Sequence, residues 1–169
     1  MNNKIKYIAS ALLVLSSASY SFGQVTATAS ASATIITPIS ISKTVDMNFG
    51  NVAVSAVAGT VVLSTTGNRT TSGGVTLPAI NGTVKAASFT VNGLSGTTYT
   101  ITLPSTATIL SSGANNMSVT AFNSTPSSTG LLTGGTQIVT VGATLTVSAN
   151  QAAGDYTSAT PFTMTVNYN

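Results

Sequence analysis

Two carboxylates are all the acid–base chemistry this chain can offer. Asp46 and Asp155 are its only acidic side chains, and it has no His, Cys or Glu. A serine nucleophile would lack its usual base, zinc would lack its preferred nitrogen and sulfur ligands, and calcium, which favours several carboxylates, would find two. Asp46 sits beside a strand start and Asp155 in an AGDY turn, ordinary places for both, and nothing around them suggests that they meet. The expectation is a protein that is not an enzyme and carries no metal and no cofactor.

The cations are as sparse. Behind the first 23 residues only Lys43, Arg69 and Lys85 remain against the two aspartates, a net of +1. Neutralising a phosphate backbone takes clustered Lys and Arg, so nucleic acid is not an expected partner. The glycine-rich stretches TGNRTTSGG and LLTGG lack the lysine placement and following helix of a phosphate loop and read as hairpin loops, with Arg69 solvated in the first. Four Asn-x-Ser/Thr matches, at Asn68, Asn81, Asn116 and Asn123, are expected by chance in so Asn- and Thr-rich a chain. So little charge also leaves little to repel neighbouring copies, which favours association.

The opening residues read as a secretory signal, 1–23: Lys4 and Lys6 form a basic start, Ile8 to Leu15 an apolar stretch, and Ser21 and Gly23 place small residues at −3 and −1 of a cut before Gln24. That stretch is too short to span a bilayer, and no later run approaches about 20 apolar residues. The mature chain is expected to be exported, not inserted in a membrane, and to form one domain without disulfides.

The elements available to position any site are strands. Period-2 alternation recurs in SFTVNG, TYTITLP, MSVTAF, TLTVSA and FTMTVNY. Turn signals separate them at Gly67-Asn68, Gly73-Gly74, Asn81-Gly82, Asn92-Gly93, Pro126, Gly134-Gly135 and Gly154-Asp155. No apolar stripe of helical period follows the signal. The pattern predicts an all-β chain, an immunoglobulin-like antiparallel β-sandwich over 37–169 preceded by an N-terminal extension strand. Thr and Ser dominate the polar phase because β-branched Thr suits a pleated surface.

The two ends of the chain are its most informative parts. In the extension, 24–36, Val25, Ala27, Ala29, Ala31, Ala33 and Ile35 fall on one face and Thr or Ser on the other. The same phase resumes at Ile39 and Ile41 beyond Pro38, a residue that suits an edge or a hinge. Such a strand can pair with another copy, serve as the first strand of its own sandwich, or act as an Ala/Ser/Thr linker, though a linker has no reason to keep phase. Four alanine methyls would contribute about 3 kcal/mol on burial and Val25 with Ile35 about 3 to 6. A ladder adds about 0.5 to 1.5 kcal/mol net per main-chain hydrogen bond, which favours strand addition. At the other end Phe162, Met164, Val166 and Tyr168 share one phase, and so apolar a final strand needs a partner along its free edge.

These residues carry a resemblance. Through ATIITPISISKTVDMNFGNV near the start and AGDYTSATPFTMTVNY at the end, the chain resembles the secreted bacterial family known as domain of unknown function 4402, over essentially all of the mature sequence. That family is similar to pilin subunits of chaperone-usher type, including common-pilus fimbrillins. The resemblance implies a sandwich missing one strand, completed by the N-terminal extension of the next subunit, with a periplasmic chaperone and an outer-membrane usher as assembly partners. It also implies that the penultimate residue, Tyr168, lies in the strand the chaperone grips. The chain departs from those pilins in having no disulfide and in offering mostly alanine along its donor strand. Gly154 and Tyr156 also match a tyrosine corner, which would pin the sandwich whatever its function.

The expected function is a structural subunit of a cell-surface fimbrium, a homopolymer built by donating Val25 to Ile35 into a groove bordered by Phe162, Met164, Val166 and Tyr168. The alternative is a monomeric secreted adhesin or carbohydrate-binding module using loops 66–74 or 124–135. Exposed aromatics would favour that alternative.

Overall fold

The computed structural model describes residues 23–169; the segment read as an export signal, Gly23 apart, lies outside the described residues. Beyond Pro38, alternating side chains become antiparallel sheet along most of the chain. Twelve strands succeed one another: β1 (Ser40–Val45), β2 (Asn48–Phe49), β3 (Ala53–Leu63), β4 (Arg69–Thr76), β5 (Val84–Lys85), β6 (Ala87–Asn92), β7 (Thr98–Thr102), β8 (Thr108–Ser112), β9 (Asn115–Thr125), β10 (Thr129–Leu131), β11 (Thr136–Val147) and β12 (Thr165–Tyr168). A tight 3-10 turn, Thr133–Gly135, precedes β11. Among the described residues there is no α-helix, and none is long and apolar enough to cross a membrane.

Seven strands form one sheet in the order β1-β6-β11-β3-β4, with β9 against β11 and β8 against β9; three form a second, β10-β7-β12; β2 and β5 make a two-residue ribbon. Every pairing is antiparallel. This is the all-β antiparallel sandwich that the sequence predicts, curled by the course of one strand.

That strand is β11. Thr140 and Val141 pair with both β6 and β9, while Thr144 to Thr146 pair with both β3 and β9. A strand has two edges, so β6 and β3 follow one another along the same edge of β11 and β9 occupies the other. Gly142 sits at the changeover, where a Cβ would run into the carbonyl oxygen of Leu63. The buried phase of β11 continues through the switch. Val139 and Val141 enter one core with Phe89, Val91, Tyr99, Ile101, Leu132, Met164 and Val166. Ala143, Leu145 and Val147 enter a second with Phe49, Val61, Leu63, Val75 and Val119. Met47 and Phe122 pack against both.

The alternating segments all meet strands, with three corrections. Gly73-Gly74 is not a turn: both residues lie inside β4, which passes β3 so closely that a Cβ on either would strike the carbonyl of Ala58 or Val57. TLTVSA is only the second half of β11, whose first half the glycine at 142 conceals. The final strand occupies Thr165–Tyr168 alone, with Phe162 and Met164 on its approach. The Gly67-Asn68 turn does link β3 to β4, with Ser64 N–H bonded to Asn68 O at 2.9 Å.

Candidate strand-acceptor edge

Residues 35–169 form one compact unit. The segment 23–34 belongs to another; it is exposed throughout and carries no strand, so the extension expected as a strand has no ladder partner among the described residues. Val25 is 96% exposed and Ile35 98%. Ala27, Ala29, Ala31 and Ala33 are exposed as well. The first strand of the sandwich is instead β1, which the alternation reaches after Pro38.

At the other terminus, β12 pairs with β7 alone. Asn169 N–H bonds back to Thr98 O, which sets the phase of this ladder: Thr165 and Asn167 face β7 with their main-chain groups. Val166 and Tyr168 therefore turn N–H and C=O outward, and among the described residues no backbone group meets them. Their side chains stand out of the sheet plane, toward the core. Val166 and Met164 are buried, Phe162 and Tyr168 half-buried. The Phe162 ring packs against Phe122 at 4.8 Å and edge-on against Phe89 at 6.1 Å.

Tyr168 also locates the facing edge. Its hydroxyl donates to Thr37 O at 2.8 Å and accepts from Leu94 N–H at 2.7 Å, and its ring lies over Gly93, where a Cβ would collide with it. The end of β12 is thereby held beside the chain entering β1. β12 therefore ends where the chain enters β1. Ile39, Ile41, Met47, Phe162 and Tyr168 form a half-buried apolar seam against the same core. Ahead of β12 lies a cleft of about 600 Å³ lined by Leu103, Ile109, Pro161, Phe162, Thr163 and Thr165 among others.

Edges invite pairing with other chains, and this sandwich blunts most of its own. The outer side of β8 is closed by Thr157, which exchanges main-chain bonds with Ser111 at 2.8 and 3.1 Å. On β10, Gln137 Oε1 accepts from Leu131 N–H at 2.9 Å. The β4 edge is kinked at Gly73, whose φ is +66°, and its register with β3 breaks between Val54 and Gly59. On β1 the ladder to β6 slips between Lys43 and Val45, and Lys43 with Asp46 forms an exposed ion pair at 2.6 Å. Only β12, among the edges of the two larger sheets, has none of these devices: Thr165, Val166, Asn167 and Tyr168 include no charge, proline or glycine, and no bulge interrupts their register.

The remaining sequence candidates have structural places. Arg69 is half-buried and held, not free in solvent: its guanidinium donates to the carbonyls of Phe49 and Asn51 and to Asn81 Oδ1, clamping the end of β2 to the loop before β5. The MNFG block builds that clamp: Phe49 is buried, and Gly50, at φ +66°, leaves room where a Cβ would strike Asn81 O. Tyr156 makes the tyrosine corner, its hydroxyl donating to Ala152 O at 2.7 Å. Asp155 is exposed in the loop that carries this corner. Of the loops assigned to a binding module, 66–74 is largely β4 and 124–135 contains β10, and no aromatic ring among the described residues is exposed. Tyr99 is fully buried, donates to Gln137 Oε1 at 2.8 Å, and is pushed by burial above the ordinary tyrosine pKa.

No curated protein matches the chain, and no solved structure does. A family model does match: residues 39–168 fit the one described as Domain of unknown function (DUF4402). The match starts at Ile39, just before β1, and stops at Tyr168, so it takes in both strands of the seam and leaves the 24–36 segment outside. The chain belongs to the DUF4402 family.

Proposed function

We propose that this protein is a structural subunit of an exported bacterial surface fibre, polymerising when one copy lays its 24–36 segment along β12 of the next. The observation that carries this reading is the unguarded β12 edge, which carries part of a half-buried apolar seam, in a chain that also holds an exposed alternating segment with no strand partner among the described residues. Val166 and Tyr168 each present one outward N–H and one outward C=O, which a donated strand would satisfy for about 2 to 6 kcal/mol in all. Apolar contact with Ile39, Ile41 and Phe162 adds to this, and the shallow alanine face suits a seam whose floor is already filled by Val166 and Met164. The partners are other copies of the chain, with a periplasmic chaperone and an outer-membrane usher as the assembly route.

The test compares the mature protein with a variant lacking 24–36, by electron microscopy and by gel electrophoresis without boiling. Filaments or ladders from the intact form alone support strand donation. Filaments from both reject this segment as the connector, and monomers from both favour a secreted binding module.

A further inference from the structure

Arg69 is a half-buried cation with three neutral acceptors and, among the described residues, no salt bridge. One of those acceptors is Asn81, followed by Gly82. We infer that Asn81 is a self-modification site, converting by deamidation to an aspartate that supplies Arg69 with the carboxylate it lacks.

The local structure favours each step. A guanidinium only donates, so Arg69 fixes the Asn81 amide with Oδ1 toward the cation, 3.0 Å from Nη2, and Nδ2 free to leave. Gly82 suits the site: its φ is +63°, and a Cβ there would lie 2.7 Å from Asn51 Oδ1. It therefore presents an unbranched neighbour and an N–H that makes no main-chain hydrogen bond among the described residues. In the reaction Gly82 N attacks Asn81 Cγ. The N–Cγ bond forms, the Cγ–Nδ2 bond breaks, and Nδ2 departs as ammonia carrying the Gly82 amide proton. Negative charge developing on Oδ1 during the attack is met by the guanidinium already in place. Water then opens the ring; attack at Cγ restores the normal chain with an aspartate at 81, whose carboxylate exchanges a neutral bond to Arg69 for a charge-assisted one.

The chain contains its own comparison. Asn92-Gly93 has the same sequence, but Gly93 N–H is engaged with Gly135 O at 2.9 Å and Asn92 is paired on both sides within the sheet, to Ser40 and to Thr136. The ring cannot close there without breaking the ladder.

Two measurements test the inference. The folded mature protein is incubated at mildly alkaline pH and mapped by peptide mass spectrometry: the expected result is acid at Asn81, accumulating at least about tenfold faster than at Asn92. An unchanged Asn81, or equal conversion at the two sites, overturns it. The Asn81→Asp variant is then compared with the parent by thermal melting: a higher Tm, with an advantage that shrinks as salt is added, is expected. An equal or lower Tm shows that Arg69 gains nothing from the carboxylate and also overturns the inference.

Discussion

The hydroxyl of Tyr168 bonds to the carbonyl of Thr37, so a single side chain on the last strand holds the chain just ahead of the first. The same oxygen accepts from Leu94 N–H. Tyr168→Phe leaves both main-chain groups without that partner and is expected to cost about 1 to 3 kcal/mol. Thermal denaturation checks this, with a Tm lowered by about 2 to 4 °C per kcal/mol for a domain of this size.

Proline in the 24–36 segment separates assembly from folding. Ala31 is exposed and outside every strand, so Ala31→Pro should leave the melting curve of the monomer within about 0.5 kcal/mol of the parent. A strand laid along β12 would lose an N–H and its regular backbone at that point. Filaments counted by electron microscopy should disappear or become sparse, and undiminished filaments would show that residue 31 is not in the ladder.

Gly142→Ala addresses the curl of the sandwich. The added methyl meets main-chain atoms at the end of β3, which cannot move aside as a side chain can. A loss of about 2 to 4 kcal/mol is expected, read from the urea midpoint at unchanged slope.

Burial keeps the Tyr99 phenol neutral and raises its pKa above the usual tyrosine value. Because the folded chain holds this proton more tightly than the unfolded one, the contribution is complete below about pH 10, where a free tyrosine is still protonated. It is lost as pH rises from there through the folded value. Urea denaturation at pH 8 and in the alkaline range should show this decline, and Tyr99→Phe should flatten it while costing about 1 kcal/mol at neutral pH through the lost bond to Gln137.

Strand existence was legible wherever burial alternates strictly. In β6, Ala87, Phe89 and Val91 are buried while their neighbours are not, and in β7 Tyr99 and Ile101 show the same rhythm. Glycine defeated the reading in two places because its meaning depends on what lies across from it. At Gly73-Gly74 it permits close passage of two strands, and at Gly142 it marks a change of partner within one strand; neither opposing backbone is visible in sequence. Arg69 looked solvated for a similar reason, since its acceptors are carbonyls of residues 18 and 20 positions away and an amide 12 positions away. Half of the proposed seam, Phe162 to Tyr168, could be read from its apolar phase. The other half, Ile39 to Met47, could be joined to it only once Tyr168 was seen to reach Thr37. The 24–36 segment alternates as a strand should, yet alternation shows only that a segment can pair, and β1 to β12 build the sandwich without it.

The shared course of β11 has a thermodynamic consequence. Its side chains from Val139 to Val147 are divided between two apolar interiors, so neither interior can melt while the other keeps its share of the strand. Heat absorption on unfolding should then gather into one calorimetric peak whose enthalpy equals the van't Hoff value, and the last amides to exchange with solvent should be those of the strand that both halves hold in common.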